Sequence, residues 1–135
     1  PIKSSAASDV YKRQDTVAHG KKLGGTLGFP TVNLRFQPGV LVPAHGVYAT
    51  RVTFENGESR PAVTNIGVRP TVDDGDRVTV EGFILDFQGD LYGQTVRMEF
   101  YKRLRGERKF PSLEALKDEV MRNAEQTRTY FSTQP

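Results

Sequence analysis

Thr31 to Phe36 alternates without a break: Val32, Leu34 and Phe36 share one side, Thr31, Asn33 and Arg35 the other. That period of two predicts a half-buried β-strand. Similar runs follow at Val47–Phe54, about Arg60–Ile66, Val78–Phe87 and Thr95–Leu104, the last with Val96, Met98 and Phe100 opposite Arg97, Glu99 and Tyr101. Turn signals separate them. Asn56-Gly57 suits a tight hairpin because both residues tolerate positive φ, and Asp73-Asp74-Gly75-Asp76 and Gly89-Asp90 mark two further turns. A shorter strand over Thr16–His19 would lead into a glycine-rich loop from Gly20 to Gly28.

The period changes towards the C-terminus. Leu113, Leu116, Val120, Ala124, Thr127 and Phe131 fall on one helical stripe, Ser112 is a good N-cap and Glu114 suits the first turn. A helix over about Ser112–Tyr130 is therefore predicted. Many short strands followed by one helix point to a mainly β fold, a closed or nearly closed barrel with a C-terminal α-helix. Pro1 to Gln14 carries neither period, has small residues in a row from Ser4 to Ser8, and resembles translated adapter sequence. Residues 1–14 are thus read as a disordered or artefactual segment, ahead of a single domain over 15–135.

Composition removes several function classes. The 135 residues fit one domain, and the absence of cysteine excludes disulfides and thiolate metal ligands and favours a cytoplasmic address. No apolar run approaches the ~20 residues of a membrane-spanning helix. A net charge of +3, from 19 basic and 16 acidic residues, suits an anionic small ligand and is too mild to argue for nucleic acid. There is no Walker A motif and no G-x-S-x-G, and His19 and His45 are the only imidazoles.

Three features could carry chemistry. In the loop with Gly20, Lys21, Gly24 and Gly28, glycines let backbone amides approach an anion while lysines add positive potential; an ordinary loop reads the same way. In Pro30-Thr31-Val32-Asn33 the Thr31 hydroxyl and Asn33 amide oxygen project to one face, as neutral oxygen ligands for a Mg²⁺-nucleotide or as a merely solvated strand face. Glu81 falls on the face of its strand shared by Phe83, Leu85 and Phe87. A carboxylate among aromatics is costly unless paired, functional or able to reach water at an edge, and desolvation would raise its pKa towards that of a general base.

The three features occur together in "LGFPTVNL" (Leu27–Leu34), "AVTNIGVRPTV" (Ala62–Val72) and "VEGFILDFQGDLYGQTVRMEF" (Val80–Phe100), with "HGVYATRV" (His45–Val52) and "LRGERKFPSLEALKDEV" (Leu104–Val120) completing the set. In these motifs the chain resembles the riboflavin kinase domain, the C-terminal module of bacterial bifunctional riboflavin kinase/FMN adenylyltransferases. The resemblance implies a six-stranded antiparallel Greek-key barrel with a C-terminal helix. It implies transfer of the ATP γ-phosphate to the riboflavin 5′-hydroxyl, giving FMN and ADP, with Mg²⁺ as cofactor. It assigns Thr31 and Asn33 to the metal and phosphates within the Pro30 motif, Glu81 to the catalytic base, and the loop with Gly20, Lys21, Gly24 and Gly28 to the nucleotide. Asn65, Gly67 and Arg69 would lie in a loop of the site, and the segment Leu104–Phe110, with Arg105 and Phe110, would cover the flavin. Fusion to an FMN adenylyltransferase domain is implied for the natural protein, with neither nucleic acid nor membrane as partner. Gly25 stands where the family usually has a basic residue, and Val32 where it has alanine. Two other readings are a non-catalytic flavin- or nucleotide-binding barrel and an OB-like nucleic-acid barrel; the latter ranks last because the aromatics fall on core faces.

Overall fold

A computed structural model of the chain describes residues 11–16, 30–35, 44–71, 75–89 and 93–133. Its strands are β1 (Tyr11–Thr16), β2 (Thr31–Arg35), β3 (Gly46–Thr53), β4 (Ser59–Thr71), β5 (Gly75–Ile84) and β6 (Thr95–Arg105). One helix, α1 (Leu113–Ser132), ends the chain. The strands form one antiparallel sheet in the order β1-β6-β3-β4-β5-β2. The architecture is therefore mainly β and antiparallel, with a single C-terminal helix.

Alternation assigns each strand two faces. The inner face carries the larger core, with Val32, Leu34, Tyr48, Val52, Ile66, Val80, Ile84, Met98 and Phe100 all buried. On the outer face Val47, Val63 and Leu85 pack under Ala124, while Phe83 packs under Val120 and Leu116. Helix α1 thus covers the outer face with Leu116, Val120 and Ala124 of the predicted stripe, whereas Leu113, at its start, is 50% exposed. Its first turn is capped by Ser112, whose hydroxyl accepts the Ala115 N–H at 3.1 Å. At the other end Arg128 is paired with Asp86 at 3.1 Å, tying α1 to the end of β5.

Several expected boundaries move, each for a physical reason. Tyr11–Gln14, expected to lie outside the domain, begin β1, where Tyr11 pairs with Phe100 and Gln14 with Arg97. An edge strand can be held by its backbone ladder, so it needs no apolar period. Residues 17–19 of the expected first strand lie outside the described residues. Strand β4 runs past the strand expected over about Arg60–Ile66 and pairs with β5 as far as Thr71 opposite Gly75, so Asn65, Gly67 and Arg69, placed in a loop by the resemblance, lie on a strand. Among the described residues β4 has no partner on its β3 side beyond Ile66, and Pro70, lacking an N–H, falls in that stretch. The expected strand to Phe87 stops at Ile84. Asp86 then adopts φ 57°, turning the chain so that Phe87 leaves the Glu81 face and packs on Phe54, with ring centroids 4.8 Å apart.

Candidate active site

Residues directly opposite on antiparallel neighbours point to the same face. Asn33 of β2 is opposite Glu81 of β5, Glu81 opposite Asn65 of β4, Asn65 opposite Val47 of β3, and Val47 opposite Arg105 of β6. Five strands thus contribute one row of side chains, Asn33-Glu81-Asn65-Val47-Arg105, across the outer face. The neighbouring row brings Thr31 opposite Phe83, and Phe83 opposite Val63. Val32 and Leu34, between and beyond Thr31 and Asn33, are 0% and 2% exposed on the inner face, which fixes the two polar residues on the outer one.

A cavity of about 500 Å³ opens over this row. Val47, Val63 and Phe83 form its floor, Leu116 and Val120 of α1 one wall, and the segment from Arg105 to Phe110 the rest. Glu81 and Asn65 face it from the row. Glu81 is only 9% exposed, so its carboxylate is largely removed from water. Glu107 also lines the cavity, and its carboxylate presses on Gly67: a Cβ added at Gly67 would lie 2.6 Å from Glu107 Oε1. Absence of a side chain at Gly67 lets the covering segment approach β4.

The cationic wall is braced from behind. Arg105 and Arg108 lie over the Phe110 ring, at 5.4 and 4.8 Å from its centroid. Glu119 of α1 pairs with Arg105 at 3.1 Å, Arg122 at 3.1 Å and Arg108 at 3.7 Å. Asn123 links the same groups, accepting from Arg105 Nε at 3.0 Å and donating to Glu119 Oε2 at 3.2 Å. Burial pushes the Glu119 carboxyl up, but hydrogen bonds from Arg122 and Asn123 and the charges of Arg122 and Arg105 outweigh it, leaving the group below the usual carboxylate range.

Of the residues singled out by sequence, Glu81, Asn65, Arg105 and Phe110 line one cavity. Thr31 and Asn33 stand on the same face beside it, and the Pro30 carbonyl accepts the Ile84 N–H at 2.9 Å, extending the β2–β5 ladder. Arg69 lies farther along β4, opposite Arg77. Gly20, Lys21, Gly24 and Gly28 lie outside the described residues. Glu119 and Asn123 escaped sequence reasoning. They fall one position before Val120 and Ala124 on the buried stripe, and polar residues at that spacing were the available signal.

Known proteins share this chain's sequence and fold. The bifunctional riboflavin kinase/FMN adenylyltransferase of Haemophilus influenzae is 40% identical over 123 residues, 91% of this chain and 39% of that protein. The chain therefore spans well under half the length of such relatives. The crystal structure of riboflavin kinase from Trypanosoma brucei superposes with a TM-score of 0.67 at 25% identity, covering 98% of this chain and 82% of the other. A Streptococcus pneumoniae structure described as a macrolide-efflux protein gives a TM-score of 0.78 at 34% identity, over 87% of this chain and 38% of that one. No helix among the described residues is long and apolar enough to cross a membrane. The family model Flavokinase, riboflavin kinase, matches residues 7–131, and the chain belongs to that family.

Proposed function

We propose that this chain transfers the γ-phosphate of ATP to the 5′-hydroxyl of riboflavin, giving FMN and ADP, with the outer-face cavity as the riboflavin site. The observation that carries the reading is the row of Asn33, Glu81 and Asn65 at the edge of a cavity with an apolar floor and helix wall, closed by the charged segment that ends in Phe110. A planar aromatic ring system suits such a lining, and the volume is that of a small-molecule site. Glu81 would accept the proton of the attacking hydroxyl as its oxygen bonds to the γ-phosphorus and the bond to the ADP oxygen breaks. Arg105 and Phe110 would bound the flavin ring.

Thr31 and Asn33 offer neutral oxygen donors on the face that carries Glu81. Such a sparse donor set fits Mg²⁺, which takes most of its shell from water and nucleotide phosphates. When bound, the ion neutralises phosphate charge. The loop with Gly20, Lys21, Gly24 and Gly28 would cover the phosphates. The end strands β1 and β2 approach one another, which supports closure into a six-stranded Greek-key barrel. The cysteine-free sequence supports a cytoplasmic setting, and the longer relatives support fusion to an FMN adenylyltransferase domain in the natural protein.

Incubation with riboflavin, ATP and Mg²⁺, followed by chromatographic separation of the flavins, tests the reading. FMN and ADP should appear in equal amounts. Riboflavin binding without FMN formation would leave a binding barrel in place of the kinase.

A further inference from the structure

We propose that Glu119 is a positioning residue for riboflavin, holding Arg105 and Arg108 so that both keep the Phe110 ring in place as a wall of the cavity. This rests on the reading of the cavity as the riboflavin site. Arg105, Arg108 and Phe110 line the cavity, whereas Glu119 stands behind them on the buried stripe of α1. Three guanidiniums converge on its carboxylate, from Arg105 and Arg122 at 3.1 Å and Arg108 at 3.7 Å. Side chains of Glu119 and Arg105 are 8% and 16% exposed, so this pair is poorly screened by water. Without the carboxylate, like charges on Arg105 and Arg108 would push them apart.

Phe110 depends on that arrangement. It lies between β6 and α1 in a stretch with no regular secondary structure, so no strand ladder fixes its ring. Its contacts with Arg105 at 5.4 Å and Arg108 at 4.8 Å are cation–π arrangements, which require guanidiniums held in one orientation. A loosened wall should cost riboflavin binding and spare chemistry, because Glu81 sits on β5, three strands along the row from Arg105.

The test uses the full chain with Glu119→Gln and Glu119→Ala, kinetics at saturating MgATP, and riboflavin fluorescence titration. Glu119→Ala should raise KM and Kd for riboflavin about tenfold, as expected for loss of oriented cation–π contacts. Its kcat should stay within about threefold, and KM for MgATP should be unchanged. Glu119→Gln, which keeps an acceptor oxygen, should give a smaller rise in the same direction. Glu125→Gln removes the exposed pair with Arg128, 2.7 Å apart, and serves as control. Riboflavin KM and Kd unchanged in both Glu119 variants, with only melting temperature lowered, would make Glu119 a structural ion pair and overturn the proposal. An equal rise in Glu125→Gln would overturn it too. An unsubstituted chain that neither binds nor phosphorylates riboflavin would overturn the functional reading, and this one with it.

Discussion

Asn33 and Glu81 stand directly opposite one another on β2 and β5, sharing the outer face of the sheet. Opposed side chains on an antiparallel pair have Cβ atoms about 5 Å apart, close enough for a nucleotide phosphate held at Asn33 to meet a hydroxyl held at Glu81. Asn33→Ala should therefore raise KM for MgATP about 10- to 100-fold, the worth of one hydrogen bond or ligand to a charged group. Riboflavin affinity from fluorescence titration should hold. A variant that loses riboflavin and keeps MgATP would reverse the assignment of the two substrates along the row.

Gly82 lies next to Glu81 and faces inward. A Cβ there would meet Val32 Cγ2 at 3.0 Å, Met98 Cε at 3.1 Å and Thr64 Oγ1 at 3.1 Å. The Thr64 hydroxyl is not free to swing away, since it shares a 2.7 Å hydrogen bond with Thr50 in the core. Gly82→Ala should lower stability by about 1–3 kcal/mol, the usual cost of overpacking. Chemical denaturation checks it, and an unchanged midpoint would mean that β5 yields more easily than its neighbours suggest.

Much of this arrangement was legible in the sequence because it rests on short-range rules. Alternation alone assigns Val32 and Leu34 to one face and Thr31 and Asn33 to the other, and burial follows that division. The helix stripe and the Ser112 cap are equally local. What was not legible depends on partners distant in the chain. Strand β1 contains Tyr11–Gln14 because β6 offers a ladder to pair with, and the family match likewise begins before it, at residue 7. Phe87 leaves the Glu81 face because a single backbone angle at Asp86 ends the alternation. The Glu119 network joins residues from β6, the segment after it and α1, which no periodicity of one element can reveal.

The helix start supplies a simple stability test beside the cavity. Ser112 accepts the Ala115 N–H at 3.1 Å, and α1 brings Leu116 and Val120 to the cavity wall. Ser112→Ala should cost about 1 kcal/mol, as for other N-caps. Ser112→Asp should restore it in urea titration. An alanine variant as stable as the parent would mean that the helix start is held by packing alone.

Acid should weaken the Glu119 network in a defined direction. The folded-state pKa of Glu119 is lowered from its ordinary value of 4.5. The folded chain then binds fewer protons than the unfolded chain in this range, so stability rises with pH. The contribution is complete above the unfolded value and is lost as pH falls through the folded one. Melting temperatures of the parent and Glu119→Gln should differ most near neutrality and converge as pH falls through the lowered folded-state value. A difference independent of pH would show that the charge of Glu119 does not matter.

Glu81 carries the central claim, that proton acceptance at the edge of the outer-face cavity drives phosphoryl transfer. Glu81→Gln keeps the shape and an acceptor oxygen while removing the basic one. Single-turnover formation of FMN by this variant, at saturating riboflavin and MgATP, is the direct measurement. General-base assistance predicts a rate lower by about 10²–10⁴, with riboflavin and MgATP affinities near those of the parent. FMN formation at the parent rate, in a variant that binds both substrates, would contradict it.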